Sequence, residues 1–145
     1  MLDRDESALH SLQLILTGRA LLDSDDLVLG NIRDVDFVRD VFAARRPEVV
    51  FHAAALKHQP LLEMYPTEAV KPNVVGTQNV LAATVAAGVT TFVYISTDKA
   101  ANPGIALGYY KRILGRTTAG GAVEDDPYLA LCFEIIPGSR GQGRQ

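Results

Sequence analysis

The sequence predicts an α/β domain with helices on both faces of an incomplete parallel sheet. Short β-branched runs typical of buried strands alternate along the chain with longer segments whose apolar residues recur at helical spacing. Strands that alternate with helices in this way favour a parallel sheet. Polar or small residues follow the ends of the predicted strands, which is the edge where such sheets bind ligands.

The first predicted helix covers residues 7–17, with Ser7 as its N-cap and Gly18 at its end. Its apolar face consists of Leu9, Leu12, Ile15 and Leu16. A short buried strand is expected at residues 27–29, after an aspartate-rich turn.

The second predicted helix begins at Asp34 and stops before Pro47, which cannot continue it. Residues 49–55 start with β-branched side chains and end in three alanines, which predicts a strand that runs into a tight loop. Helical spacing then extends over residues 66–87, and Pro72 inside this span predicts a kink or a break.

The remaining predicted elements are a strand at 91–96, a helix at 108–116 and a strand at 128–136. The polar segment 138–145 has the composition of a flexible tail. The chain of 145 residues therefore fits a single domain over residues 1–145.

The amino-acid composition limits the classes of function that this protein can have. Hydrophobic residues make up 48% of the chain and charged residues 21%, which is the balance of a globular protein. The net charge of −3 argues against a nucleic-acid surface. The single cysteine, Cys132, excludes an internal disulfide, and no apolar run approaches the roughly 18 residues of a membrane span. We therefore expect a cytoplasmic protein with no metal-ligand cluster.

The strongest chemical signal is the Ser-Thr-Asp-Lys segment at residues 96–99, which follows a predicted strand. It offers a hydroxyl, a carboxylate and an amine at one sheet edge, and a carboxylate and an amine can serve as a general acid and base. From the residues alone, a polar loop that caps the next helix is the stronger interpretation. Lys111, four residues after Leu107, could hold a cofactor ribose, although a solvated lysine explains its position more simply.

Three further features are candidate ligand contacts. The alanines Ala53, Ala54 and Ala55 follow a strand, where a cofactor could approach the backbone or where the chain is simply tightly packed. Asn73 is either structural or orders a water near the site. Asp3 lies at the very start of the chain. An acidic residue at the end of the second strand commonly binds an adenosine ribose in this type of sheet, and here that strand would be mostly absent. The sequence contains no G-x-G-x-x-G phosphate-binding loop.

These residues resemble the polysaccharide-biosynthesis branch of the extended short-chain dehydrogenase/reductases, which includes UDP-N-acetylglucosamine 4,6-dehydratases. The similar segments are residues 52–58, 73–77, 95–100 and 102–103, together with residues 2–7 and 30–34. The resemblance covers nearly the whole chain. It implies a partial NAD(P)-binding Rossmann-like domain whose first strand, glycine-rich loop and first helix are missing from the sequence.

The resemblance also implies a reaction. A hydride passes from C4 of a nucleotide sugar, expected to be a UDP-sugar, to NAD or NADP. Water is then lost across C5 and C6, and the hydride returns to C6. Thr97, Asp98 and Lys99 match the catalytic positions of the family, with Asp98 as the acid and Lys99 as the base.

Other matching residues are assigned to the cofactor and the substrate by the same resemblance. Asp3 and Arg4 match residues that bind the adenosine ribose or its phosphate. Residues 53–55 line the cofactor path, and Lys111 matches the lysine that binds the nicotinamide ribose. The residues expected to contact substrate or to support the site are Lys57 and Asn73.

The sequence departs from the family pattern at several positions. Leu107 occupies the tyrosine position of Tyr-x-x-x-Lys, which fits a branch that relies on Thr-Asp-Lys and argues against an ordinary Tyr-dependent 4-epimerase. The remaining departures are Asn31 in place of an aspartate near the adenine, Pro72 in place of a helix-compatible residue, and Glu134-Ile135 in place of a Gly-Asn substrate contact.

The missing strand leads to physical expectations for the isolated chain. Two buried strands lose their shared partner, so we expect marginal stability or self-association, including a homo-oligomer. Loss of the phosphate-binding helix N-terminus predicts weak binding of NAD(P) or none. The expected function is a nucleotide-sugar 4,6-dehydratase or epimerase domain of polysaccharide or glycan synthesis. The alternative is a non-catalytic remnant or interaction module on the same fold.

Overall fold

The computed structural model describes residues 1–19, 24–54, 56, 58–95 and 128–129 of the chain. In chain order the elements are β1 (Leu2–Asp3), α1 (Glu6–Thr17), β2 (Val28–Leu29), α2 (Val35–Arg45), β3 (Val49–His52), α3 (Gln59–Met64), α4 (Pro66–Val70), a π-helical turn (Lys71–Gly76), α5 (Thr77–Ala87), β4 (Thr91–Tyr94) and β5 (Tyr128–Leu129).

Every described strand pair is parallel, and helices lie between β1, β2, β3 and β4 along the chain, which confirms the predicted α/β class. β1 pairs with β2, so that Leu2 lies opposite Val28. β3, β4 and β5 form a second sheet in that order, with Val50 opposite Phe92. Among the described residues no strand joins β1 to β3, so the sheet is incomplete, as predicted.

One hydrophobic core joins the larger sheet to helices α2 and α5. Its buried members are Val38, Phe42, Val80, Ala83, Val89, Phe92 and Tyr94. Successive strand residues face opposite sides of a sheet, so Val50 faces this core from β3. Val49 and Phe51 face the other way and expose 47% and 70% of their surface.

Helix α1 is capped by a different residue from the one predicted. Asp5 is the N-cap in place of Ser7, and its carboxylate accepts a hydrogen bond from the amide of Ala8 at 3.1 Å. The prediction of Ser7 was wrong because the helix begins two residues earlier, where the Asp5 carboxylate can accept from a free amide of the first turn and place negative charge at the helix start. Gly18 ends the helix as predicted, in the left-handed region at φ 68°.

The apolar face predicted for α1 is only partly buried. Leu9 is buried, whereas Leu12, Ile15 and Leu16 expose 43%, 79% and 65% of their surface. The helix packs against β1, and a strand of two residues offers too little surface to cover that face.

The helical pattern at 66–87 is helical throughout but changes type twice. A π-helical turn at Lys71–Gly76 separates α4 from α5, and Gly88 ends α5 at φ 68°. Pro72 has no amide proton, and the wider turn accommodates this defect. The predicted kink or break therefore takes the form of a change in helix type. The six-residue helix α3 was not predicted.

Several predicted elements lie outside the described residues, namely the helix at 108–116, residues 130–136 of the last predicted strand and the tail at 138–145. Residues 128–129 form the start of that strand, as predicted. The single-domain organisation stays a prediction. In the described part of the chain, no helix is both long enough and apolar enough to cross a membrane.

Candidate functional site

A cleft of about 670 Å³ lies between the two sheets, and residues that follow β1 and β3 line it. Asp3 ends β1, and Ala53 and Ala54 come directly after β3; all three residues line the cleft. Ligands of parallel α/β sheets bind outside the carboxyl ends of the strands. The structure therefore brings together three of the residues that the sequence assigns to cofactor binding.

Asp3 is held in place by both its backbone and its side chain. Its carbonyl oxygen accepts a hydrogen bond from the amide of Gly30 at 2.9 Å, which joins it to the segment after β2. Its carboxylate accepts from the amide of Asp5 at 2.9 Å and shapes the turn into α1. Arg4 lies in that turn and is exposed.

The end of β3 is fixed by a buried polar pair that the sequence did not predict. His52 is buried, and its Nε2 lies 2.8 Å from the hydroxyl of Thr77 at the start of α5. The Thr77 hydroxyl donates its only proton to the carbonyl of Asn73 at 3.0 Å, so Nε2 of His52 carries the proton of the pair. The imidazole also stacks near Phe92 and Tyr94, with ring centroids 6.0 and 5.9 Å away.

Asn73 clamps the loop that follows β3. Its side-chain amide donates to the carbonyl of Leu56 at 3.2 Å, and its side-chain oxygen accepts from the amide of Leu56 at 2.8 Å. Asn73 exposes only 1% of its surface. These two hydrogen bonds satisfy both the N–H and the C=O of Leu56. Of the two roles considered for Asn73, a structural role and the ordering of a water near the site, the geometry supports the structural one.

Asn79 holds the loop that follows β2 in a similar way. Its amide nitrogen donates to the carbonyls of Ile32 and Arg33 at 3.0 and 3.2 Å. The backbone of Gly76 approaches Ile32 so closely that an added Cβ would lie 2.6 Å from its Cγ1. The π-helical turn and α5 therefore fasten the two loops that follow β2 and β3.

Sequence reasoning missed these contacts for a physical reason. Asn73 and Thr77 are four residues apart, and that spacing places them on one helical face. His52 is separated from Thr77 by 25 positions, so no local pattern pairs them. The one available signal was the presence of polar residues on the buried face of an otherwise apolar helical segment.

A second, shallow pocket of about 650 Å³ is lined by Asn31, Arg33, Asp34, Lys71 and Val75. The side-chain oxygen of Asn31 accepts from the backbone and side chain of Arg33 at 3.0 and 3.1 Å. Lys71 donates to Glu68 at 2.6 Å, and this hydrogen bond and charge lower the pKa of the Glu68 carboxyl. Asn31 and Arg33 are thus engaged with each other, Lys71 with Glu68, and Asp34 with the amide of Phe37.

Other predicted site residues lie outside the described part of the chain, namely Ala55, Lys57, Thr97, Asp98, Lys99 and Lys111, as do Leu107 and Cys132. The Ser-Thr-Asp-Lys segment begins at the residue after Ile95. The amide of Ile95 itself donates a hydrogen bond to the carbonyl of His52 at 3.0 Å. Among the described residues, no three His, Cys, Asp or Glu side chains are grouped to hold a metal ion.

Comparison with known proteins identifies the relatives of this chain. A model of the polysaccharide biosynthesis protein family matches residues 1–133. The probable polysaccharide biosynthesis protein EpsC of Bacillus subtilis is 38% identical over 97% of this chain, which spans 24% of EpsC. The UDP-glucose 4-epimerase of Rickettsia prowazekii is 37% identical over 77% of this chain, and the match covers 31% of that enzyme. The chain thus spans about a quarter to a third of the length of these relatives.

A solved structure shows the same fold. The UDP-glucose 4-epimerase of Stenotrophomonas maltophila, with bound NAD and formylated UDP-arabinopyranose, matches with a TM-score of 0.70. The match covers 90% of this chain and 44% of that one at 22% sequence identity, so it establishes the fold alone. It confirms the predicted Rossmann-like architecture.

Proposed function

The chain belongs to the polysaccharide biosynthesis protein family, and from this premise we propose that it is part of an NAD(P)-dependent nucleotide-sugar 4,6-dehydratase or epimerase of glycan synthesis. The observation that carries this proposal is the shared cleft at the ends of β1 and β3. Asp3, Ala53 and Ala54 line it together, although they are about 50 residues apart in sequence.

The cleft residues fit one part of NAD(P). The Asp3 carboxylate suits the hydroxyls of an adenosine ribose, and the neighbouring Arg4 suits a 2′-phosphate. Ala53 and Ala54 have small side chains, so a cofactor could approach the backbone there. The 145-residue sequence has no glycine-rich loop for the pyrophosphate, so we propose that the isolated chain binds NAD(P) weakly.

The proposed chemistry belongs to the segment after β4 and is redox-neutral overall. NAD(P), when bound, supplies the acceptor and donor of the hydride. Lys99, as a neutral amine, takes the C5 proton, and Asp98, as a carboxylic acid, gives a proton to the departing C6 hydroxyl, which leaves as water. Lys99 then returns its proton to C5, and the proton that the C4 hydroxyl loses when C4 is oxidised restores Asp98 to its acid form. Thr97 is proposed to hydrogen-bond the sugar beside these two groups.

Two further residues are assigned to the site by proposal. Lys111 would hold the nicotinamide ribose. Lys57 would face the nucleotide sugar. Support for this comes from its neighbour Leu56, because the Asn73 side chain bonds both the N–H and the C=O of Leu56.

Nuclear magnetic resonance titration tests the proposal on the chain as it exists. The ligands are NAD, NADP and UDP-N-acetylglucosamine, each at millimolar concentration. For the two cofactors we expect chemical-shift changes at the amides of Asp3, Ala53 and Ala54. For the sugar nucleotide we expect shifts at Leu56. Asp3→Asn should reduce the cofactor shifts, whereas Asp40→Asn on the exposed surface of α2 should leave them unchanged.

The same titration separates the alternative function. Shifts that are absent, or that are confined to residues away from the cleft, would contradict the proposed site. That result would favour the non-catalytic interaction module. A larger response to NADP than to NAD that is lost in Arg4→Ala would assign the cofactor as NADP.

A further inference from the structure

Pro72 departs from the family pattern, and the proposed function gives it no role. It lies inside a continuous helical segment, where an α-helix would need its missing amide and its ring would clash with the carbonyl of Glu68, four residues earlier. The structure contains the π-helical turn Lys71–Gly76 instead, and Pro72 lies at the start of that turn, where the ladder requires no amide. The proline is thus compatible with the observed turn and disfavours an unbroken α-helix.

The π-helical turn sets the relative directions of the helices on either side of it. Its hydrogen bonds enclose one residue more than those of an α-helix, in which each residue turns the chain by about 100°. Residues after the turn are therefore rotated relative to their positions in an unbroken α-helix. With this rotation, Ala69 of α4 packs with Leu56 and Leu62, while Val80 of α5 packs in the core between the larger sheet and α2.

Asn73 follows Pro72 inside the turn, so the direction of its side chain depends on the type of helix. This buried side chain bonds the N–H and the C=O of Leu56, at 2.8 and 3.2 Å. Leu56 also packs against Ala69 and Leu62, which fixes it relative to α4. An α-helical ladder would rotate Asn73 relative to α4, and its side chain would no longer meet both backbone groups of Leu56.

We propose that Pro72 is a positioning residue that keeps the loop after β3 fastened to the π-helical turn. It acts by raising the free energy of the competing unbroken α-helix, in which Asn73 does not hold Leu56. Two conformers are populated according to their difference in free energy, so a proline that penalises one of them favours the other. The loop contains Ala55 and Lys57, and the consequence for ligand binding rests on the roles that the proposed function assigns to them.

Pro72→Ala tests the proposal by hydrogen exchange on the purified chain. Alanine supplies the missing amide and favours the α-helix strongly over proline, so the competing conformer becomes populated. Each visit to that conformer frees the amide of Leu56 without unfolding the rest of the molecule. Exchange at Leu56 should therefore accelerate at least about tenfold relative to the parent chain.

Pro66→Ala is the matched control. Pro66 is exposed and occupies the first position of α4, where an amide has no helical partner in any case. Both variants relax the unfolded chain by the loss of one proline, so the comparison cancels that effect. Exchange at Leu56 in Pro66→Ala should match the parent chain. In urea unfolding, the global stability of Pro72→Ala should be no lower than that of Pro66→Ala.

A sugar nucleotide provides the readout of ligand binding. With UDP-N-acetylglucosamine at millimolar concentration, the chemical-shift change at the Leu56 amide should be smaller in Pro72→Ala than in Pro66→Ala. A parent chain that shows no change anywhere with this ligand would contradict the proposed function. The exchange experiment would then still decide the role of Pro72, because it requires no ligand.

Two results would overturn the proposal. The first is equal exchange at Leu56 in Pro72→Ala and the parent chain, since the π-helical turn would then hold without its proline. The second is a global stability of Pro72→Ala that falls below that of Pro66→Ala by enough to account for the faster exchange at Leu56. The proline would then stabilise the fold as a whole and would not position the loop.

Discussion

The His52 imidazole links three segments of the molecule through a buried polar chain. It bonds the Thr77 hydroxyl, which bonds the carbonyl of Asn73, whose side chain in turn holds Leu56. Each member is a residue type that costs free energy when buried without a partner. The chain of bonds therefore makes the conformation of the loop after β3 depend on the start of α5.

Thr77→Val tests the first link in this chain. Valine has the shape of threonine without the hydroxyl, so His52 loses its acceptor in a buried site, and the free energy of unfolding should fall by about 1–3 kcal/mol. Urea unfolding gives this value. Thr84→Val is the matched control, because the equally buried Thr84 hydroxyl bonds only the carbonyl of Val80, within its own helix. Equal losses in the two variants would contradict the assigned role of Thr77.

Asn73→Ala tests the clamp on the loop. The backbone N–H and C=O of Leu56 both lose their partner, so stability should fall by about 1–3 kcal/mol and hydrogen exchange at the Leu56 amide should accelerate. Asn79→Ala should leave exchange at Leu56 unchanged, because Asn79 holds the other loop. Unchanged exchange at Leu56 in Asn73→Ala would show that the loop is held by other contacts.

The helical segment from Pro66 to Ala87 shows how far local patterns predict an element. Apolar spacing predicted the segment, and Pro72 predicted an irregularity inside it. The apolar spacing could not predict a π-helical turn, because it indicates a helical segment and not the place where the hydrogen-bond pattern widens around Pro72. The strands β2, β3 and β4 were predicted as elements, yet each is shorter than its predicted span.

Gly76→Ala tests the close contact between this turn and the loop after β2. The added Cβ would lie 2.6 Å from Ile32, and the resulting overpacking should destabilise the protein by about 1–3 kcal/mol, despite the better helix propensity of alanine. In the Ile32→Ala background the same change should be nearly neutral or stabilising. Additive losses in urea unfolding of the double variant would exclude this contact as the cause.

At the scale of the whole molecule, the fold class was predicted, whereas the residues assigned to catalysis lie outside the described part of the chain. Alternating strands and helices sufficed for the α/β class, and the motif residues sufficed for the family. Asp3, Ala53 and Ala54 line one cleft, and their role in cofactor binding stays a prediction. The buried network was out of reach, because its partners are brought together only by tertiary packing. The roles of Thr97, Asp98, Lys99 and Lys111 stay predictions.

Titration calorimetry of NAD and NADP into the purified 145-residue chain tests the central claim most directly. We propose that the cleft carries the ribose end of a cofactor site, while the sequence has no glycine-rich loop for the pyrophosphate. We therefore expect a dissociation constant in the millimolar range, and Asp3→Asn should weaken binding further. Micromolar binding of either cofactor, or binding that Asp3→Asn does not change, would contradict the account.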